Sequence, residues 1–497
     1  MDRRLDLPTA DAMLHSDFAT LPDLIAAHAH ERGGKTALIH DAAGIDYAVL
    51  DAMMDRVAAA LQRDGAVQGQ AVAIVAAVSI PYAIVFLGAL RAGCVPTPVA
   101  PSSTPEQVAA MVADCDAVRV FDDAALATLD DWLAPAGSRP APARIAPADP
   151  FNIIYSSGTT GSPKGIVQSH AMRWAHIARG EALGFADAVT MIATPLYSNT
   201  TLVSFLPTLG WGGTCVLLGK FDAARFVAAA ALHRATHAML VPVQYDRIMA
   251  LADFDAHDLT SFRIKTCTSA PFPAALKADV VSRWPGLLIE YYGMTEGGGT
   301  CALIANAHPD KLHTVGKPLD DHDIRLIDDD GREVPVGEMG EVVGRSPAMM
   351  TGYHGRSEAT SDAEWFDADG NRFIRHGDVG RFDADGFLTL LDRKKDVIIS
   401  GGFNIYPSDL EAVLAEHPDV ADAAVVGVPS RAWGETPVGF FVPRGTTDTA
   451  EILAWVNGRV GRTQRLADLV TVVDLPRNAI GKVLKRELRE GYAGVVA

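Results

Sequence analysis

The sequence predicts an α/β protein of more than one domain, and three features of the chain predict it. Between residues 71 and 150 strand-like and helix-like stretches alternate, as βαβ units on a parallel sheet do, and the alternation continues over residues 186–290. After about residue 315 the texture changes to short strands separated by turn signals, such as Asp328-Asp-Asp-Gly331 and Asp383-Ala-Asp-Gly386, which predicts a β-rich subdomain. From Val397 a smaller α/β unit runs to the end, and 497 residues exceed what one hydrophobic core organises.

Residues 17–33 predict an amphipathic helix beginning near Thr20-Leu-Pro, and residues 51–63 a second helix. The uncharged stretch 71–90 is long enough to cross a bilayer. It reads instead as a buried strand over 71–78, a start signal at Ser79-Ile-Pro81 and a helix over 82–90. Residues 134–143 are rich in proline and alanine and predict an exposed, mobile loop. Residues 151–155 and 288–292 are short apolar strands, and Ser169 is an N-cap for a helix to about Leu183.

The formal net charge of −18 argues against a nucleic-acid partner, because phosphate backbones select basic surfaces. The five cysteines, at 94, 115, 215, 267 and 301, have no CxxC or zinc spacing and predict buried, reduced thiols. Met1-Asp-Arg-Arg-Leu-Asp leads into no apolar core, so no signal peptide is expected and the predicted location is the cytoplasm.

The stretch Tyr155-Ser-Ser-Gly-Thr-Thr-Gly-Ser-Pro-Lys-Gly165 can lay backbone N–H groups and hydroxyls around a polyphosphate, with Lys164 adding a positive charge. It is not a Walker A loop, since a proline precedes the lysine and a glycine follows it. These eleven residues resemble the phosphate-binding signature of the adenylate-forming superfamily. That superfamily includes acyl- and aryl-CoA synthetases, the adenylation domains of peptide synthetases and beetle luciferases. Four further stretches fall in the family's order. Tyr292-Gly-Met-Thr-Glu296 resembles the second signature, His376-Gly-Asp378 a ribose-binding turn, and Asp392-Arg-Lys-Lys-Asp396 with Ile399-Ser-Gly-Gly-Phe-Asn-Ile-Tyr-Pro407 the domain junction. Pro476-Arg-Asn-Ala-Ile-Gly-Lys482 has the spacing of the catalytic lysine.

The resemblance implies a large N-terminal adenylation domain over 1–392 and a small mobile C-terminal domain over 393–497. It implies nucleotide contacts from Ser156, Ser157, Gly158, Thr159, Thr160, Gly161 and Lys164, and from the small-residue turn Ser269, Ala270 and Pro271, where the family more often has glycine. It places Tyr292 and Gly293 beside adenine, Thr295 on the α-phosphate, Asp378 and Arg393 on the ribose, and Lys395 at the hinge. Glu296 is a hard oxygen ligand suited to Mg²⁺. Gly401 and Gly402 would let a pantetheine arm approach the backbone closely. The Lys482 charge would stabilise the in-line displacement at phosphorus, a contribution of roughly 3 kcal/mol per donor. The block Gly337-Glu-Met-Gly-Glu341 and Met350-Thr-Gly-Tyr353 is assigned mainly to folding.

The implied activity is an ATP-dependent acid–CoA ligase that forms an acyl-adenylate and then a thioester, with a carboxylic acid, ATP and CoA as small-molecule partners. No nucleic acid and no transmembrane segment are expected, and a homodimer is an open assembly. Amino-acid-activating relatives carry a pocket aspartate that Pro195-Leu-Tyr-Ser-Asn-Thr-Thr201 lacks, and Ser198 replaces the histidine common in acyl-CoA relatives. Tyr197, Thr201, Gln244, Tyr245, Ser269, Gly297 and Gly298 are the candidate acyl pocket. They include no Arg or Lys, which points to an aromatic, arylalkanoic or alicyclic monocarboxylic acid rather than malonate. Medium-chain fatty acids, an acyl-AMP ligase serving a carrier protein, and a non-catalytic nucleotide-binding relative are the alternatives.

Overall fold

The structure is a computed structural model that describes residues 8–155, 164–400, 403–478 and 481–492. Two compact units are present. The first comprises Met1–Leu312, Pro318–Asp323 and Gly344–Ile374, and the second His313–Lys317, Ile324–Val343 and Arg375–Ala497.

In the first unit the largest sheet runs in the order Gly297–Ile304, Leu287–Met294, Ile264–Cys267, His237–Leu240, Val189–Ile192, Thr214–Leu217, Thr36–His40, Ala43–Asp46. Its inner six strands are parallel and its two edges antiparallel. Such a sheet is covered on both faces, and its central strands His237–Leu240 and Thr214–Leu217 are buried along their whole length. A smaller parallel sheet orders Val95–Pro98, Ala71–Val75 and Arg119–Asp122.

The local signals act as expected at several ends. Thr20 caps Leu21–Arg32 by accepting from Asp23 N–H, and Ser79 caps Ile80–Arg91 with proline in the first turn. The predicted bilayer-length stretch is thus a strand and a helix. Among the described residues no helix is long and apolar enough to cross a membrane. The second helix starts earlier than predicted, at Tyr47, because the Asp46 carboxylate accepts from Val49 N–H. The five cysteines are buried and free.

Two expectations need correction. The phosphate loop does not lead straight into a helix. Gly165–Ser169 is a strand, paired antiparallel with Pro150–Tyr155 on one side and Gly352–Tyr353 on the other. The helix that Ser169 caps spans only His170–Ala178. It stops where Trp211 Nε1 takes the Ile177 carbonyl at 2.7 Å and the indole packs on Gly180, leaving no room for a side chain there. The proline-rich loop is tied down rather than mobile. Ala134 is buried, Arg139 pairs with Asp55, and the Gln62 carboxamide exchanges two hydrogen bonds with the backbone of Ala141.

In the second unit, Phe403–Ile405, Ile398–Ser400, Gly434–Pro443 and Val420–Ser430 form an antiparallel sheet, to which Asp468–Thr471 adds in parallel. Helices Pro407–Ala415 and Thr449–Asn457 cover one apolar cluster and Lys485–Gly491 another. The hairpin Arg372–Phe382 with Leu388–Arg393 carries the Asp383 turn, whose carboxylate accepts from the N–H groups of Asp385 and Phe387.

One buried ion pair fastens strand Leu287–Met294 of the first unit to its covering helix. Lys277, on Ala274–Arg283, pairs with Glu290, on Leu287–Met294, and also donates to Leu312 O at 2.7 Å. Both side chains are buried, and burial raises the Glu290 carboxyl while Lys277 holds it back. Removing one partner strands the other charge in the core. Lys277→Met is expected to lower unfolding free energy by about 3–5 kcal/mol in a denaturant titration, and Lys277→Met/Glu290→Leu to recover most of the loss. Equal instability of the single and double variants would refute this account.

Candidate active site

The predicted site residues of the first unit gather at the carboxyl ends of adjacent parallel strands, where open α/β sheets bind ligands. Residues 195–201 follow Val189–Ile192, Gln244 follows His237–Leu240, residues 269–271 follow Ile264–Cys267, and Thr295-Glu296 follow Leu287–Met294. Ser156, Ser157, Gly158, Thr159, Thr160 and Gly161 lie outside the described residues, as do Gly401 and Gly402.

Gln168, fully buried on strand Gly165–Ser169, ties the phosphate-loop hairpin to this edge. Its amide nitrogen donates to Thr295 O at 2.7 Å and to Asn199 Oδ1 at 3.4 Å. Its carbonyl accepts from Asn152 Nδ2 at 3.0 Å and from Arg173 Nη2. Glu296 is held through its own carbonyl by Met350 N–H at 2.7 Å and through Oε1 by the Tyr353 hydroxyl at 2.8 Å. Lys164 Nζ lies 4.9 Å from the centre of the same tyrosine ring. Burial first, and the Glu296 carboxylate second, push the Tyr353 phenol far above its usual range, so it remains a donor.

Tyr353 is therefore a candidate site residue that sequence reasoning missed. Its block was assigned mainly to folding, yet it joins the phosphate-loop lysine to the candidate metal ligand. Strand pairing of Gly352–Tyr353 with Gly165–Ser169 puts it there, and no local pattern announces a partner nearly two hundred residues away.

Ser269 has φ +82°, a left-handed conformation rare for a residue with a side chain. That explains why glycine suits the position. Its hydroxyl meets Thr200 Oγ1 at 2.6 Å. Gly297, Gly298 and Gly299 have φ of +83°, +76° and +94°, and a Cβ on Gly297 would collide with the Ala348 carbonyl. The backbone beside Thr295-Glu296 thus packs directly against Ala348, with Gly298 and Gly299 buried behind it.

Several pocket candidates are corrected. Tyr245 is fully buried, donates to Thr266 O at 3.0 Å, stacks on Phe272 and packs against Trp284, so it belongs to the core. Gln244 spends its carboxamide on Val241 N–H and Ala193 O, and Thr201 spends its hydroxyl on Pro195 O and Thr194. Both fix the backbone of the pocket segment. Tyr197 stays half-buried at the strand end.

In the second unit Asp378 and Arg393 face each other across the hairpin, with Arg393 Nε 2.8 Å from Asp378 Oδ1. Arg393 Nη1 also reaches His376 O at 3.3 Å. The half-buried Lys482 sits within electrostatic reach of Arg393, Asp378, Lys395 and Asp396. Its loop is closed by Asn478, whose side chain accepts from Lys482 N–H at 2.9 Å, and by Gly481 at φ +80°. Desolvation, reinforced by Arg393, brings the Lys482 ammonium down to about 8, and desolvation also lowers Lys395. Lys482 and the hinge candidate Lys395 thus lie in one electrostatic neighbourhood of this unit.

For a metal, the candidate ligand among the described site residues is the Glu296 carboxylate. Among the described residues no cluster of three His, Cys, Asp or Glu could hold an ion alone. This donor set fits Mg²⁺, which takes one or two carboxylates and completes its octahedron with phosphates and water.

The model of the AMP-binding enzyme family matches residues 25–354, and that of the AMP-binding enzyme C-terminal domain matches residues 409–482. The feruloyl-CoA synthase of Amycolatopsis sp. is 36% identical over 350 residues, covering 68% of this chain and 69% of that protein. The indoleacetate–CoA ligase of Aromatoleum aromaticum is 31% identical over 513 residues, covering 95% and 98%. The structure of ATP-bound MatB from Rhodopseudomonas palustris superimposes with a TM-score of 0.84 at 28% identity, covering 95% of this chain and 99% of that one. With signature motifs, fold and relatives in agreement, the chain belongs to the AMP-binding enzyme family and is an AMP-forming acid–CoA ligase with ATP and CoA as substrates.

Proposed function

We propose that the acid is aromatic or arylalkanoic, and that the enzyme works in the cytoplasm. The observation that carries this is the run of three left-handed glycines, Gly297-Gly-Gly299, beside Thr295-Glu296. Gly297 packs directly on the Ala348 backbone, so this wall of the candidate pocket presents backbone and no charged side chain beside the reacting carboxylate. The names of the feruloyl and indoleacetate relatives support the same class.

In the first step the carboxylate attacks the α-phosphorus of ATP, and the bond to pyrophosphate breaks. In the second the CoA thiolate attacks the acyl carbon, and AMP leaves with the bonding electrons. Residues 156–161 and Lys164 bind the phosphates, Thr295 donates to the α-phosphate, and Tyr292 and Gly293 with the turn 269–271 border the adenine. Asp378, oriented by Arg393, accepts from the ribose hydroxyls. Lys482 supplies positive charge to the attacking carboxylate and the α-phosphate. Glu296 would hold Mg²⁺, which neutralises phosphate charge when bound. The segment from residue 393 turns about Lys395 between the steps, and Gly401-Gly402 borders the pantetheine arm.

Pyrophosphate release from Mg-ATP over a panel of acids, with and without CoA, tests this reading. Turnover confined to fatty acids would overturn the substrate class, and full adenylation by Lys482→Ala would overturn the role of the lysine. The Lys482 charge is present below about pH 8 and lost as pH rises through that value. Single-turnover adenylation is therefore expected to fall above about pH 8, and a rate that holds to pH 10 would contradict the assignment. Tyr353→Phe removes a hydrogen bond to a charged group. It is expected to lower kcat/KM for Mg-ATP by about 10-fold or more and to raise the Mg²⁺ requirement. An unchanged Mg²⁺ titration would show that Tyr353 only packs.

A further inference from the structure

The chemistry above leaves unused a polar cluster of the first unit in which Arg173 and His322 are buried and His176 and Arg179 half-buried. Arg173, His176 and Arg179 occur at three-residue steps along helix His170–Ala178 and its C-cap, and so share an edge of the helix. Arg173 is fully buried. Its Nε donates to Asn152 at 2.9 Å and its Nη2 to Gln168, but Nη1 has no partner. Arg179 Nη2 lies 2.6 Å from His322 Nε2. A guanidinium only donates, so Nε2 accepts and the His322 proton resides on Nδ1. His322 is 8% exposed, and that Nδ1 has no partner. Nδ1 of His176 has none either. Among the described residues neither arginine pairs with a carboxylate.

Desolvation, with the neighbouring arginines, brings His176 down to about 3 and His322 to about 4, so both rings are neutral near pH 7. Asp321 opposes the shift at His322, and Arg173, Arg179 and His322 face His176. A buried donor left unsatisfied costs about 1–3 kcal/mol, and such groups are rare in folded proteins. Arg173 Nη1 and His322 Nδ1–H are two such donors, and with His176 Nδ1 beside them they describe a place that an acceptor completes.

The cluster's position links it to the acid. Gln168, just ahead of the helix, donates to Thr295 O. Tyr291, four residues before Thr295 on the catalytic strand, is within electrostatic reach of Arg179. At roughly 3.3 Å per residue the strand carries that point about 13 Å from Thr295. We infer that Arg179, His176 and His322 recognise an acceptor oxygen at the far end of the acyl substrate, as a carboxylate, phenolate or ketone would present. The inference rests on the ligase reading above. A dicarboxylate as short as malonate could not span the distance.

The test compares kcat/KM for phenylpropanoic acids bearing hydrogen, hydroxyl, acetyl or carboxylate at the ring position opposite the chain. A matched pair, a medium-chain fatty acid and its ω-carboxylated counterpart, runs beside them. Wild type is expected to favour an oxygen-bearing acid by about 10-fold or more, as a hydrogen bond to a charged group allows. Arg179→Met is expected to collapse that ratio, and Arg179→Lys to retain part of it. His176→Phe, expected to lower the same ratio, is the second variant should Arg179→Met not fold. A preference confined to the ω-carboxylated fatty acid would overturn the aromatic reading and leave the cluster's role standing. No preference in either series, or an equal loss on all acids in Arg179→Met and His176→Phe, would overturn the inference.

Discussion

The carboxamide of Gln168 is the interaction on which the first unit's site depends. It has two acceptor and two donor positions. Asn152 and Arg173 occupy the first pair, and Thr295 O and Asn199 Oδ1 the second. Those partners belong to the strand before the phosphate loop, the helix after it, the catalytic turn and the start of helix Asn199–Gly210. One buried side chain therefore sets the register of four elements. A buried amide with every position satisfied tolerates little displacement, because each broken bond leaves a polar group without water.

Strand pairing places candidate site side chains in both units. Tyr353 reaches Glu296 because Gly352–Tyr353 adds to Gly165–Ser169. Asp378 meets Arg393 because the hairpin register sets them opposite each other, at the distance where cross-strand charges interact. Sheets hold such groups more tightly than loops, since each backbone is fixed by ladder hydrogen bonds to a neighbouring strand. Lys482 differs. It sits in a short loop closed by Asn478 and a left-handed Gly481, and its charge is tuned by burial and by its neighbours.

Backbone conformation supplies a further constraint. Gly297 cannot carry a side chain, for lack of both space and a permitted φ. Ser269 adopts a similar φ with a side chain and uses its hydroxyl to meet Thr200. Strain at that turn is local and offset by the hydrogen bond, and it falls at the end of a parallel strand, where strained residues tend to serve function.

The sequence by itself determined the family, the order of the α/β and β-rich regions and the caps at Thr20, Ser79 and Ser169, and it nominated Thr295, Glu296, Asp378, Arg393 and Lys482 as candidate site residues. These were legible because turn, cap and motif signals act over a few residues. Only the tertiary structure decided that Gly165–Ser169 is a strand and that Tyr353 belongs to the site. It also moved Tyr245 into the core around Trp284 and left Arg179 and His322 as partners without an acid. Each of those depends on what a residue meets across many tens of residues of chain. Neither periodicity nor composition encodes a partner that distant, and burial reverses the meaning of the same side chain according to what surrounds it.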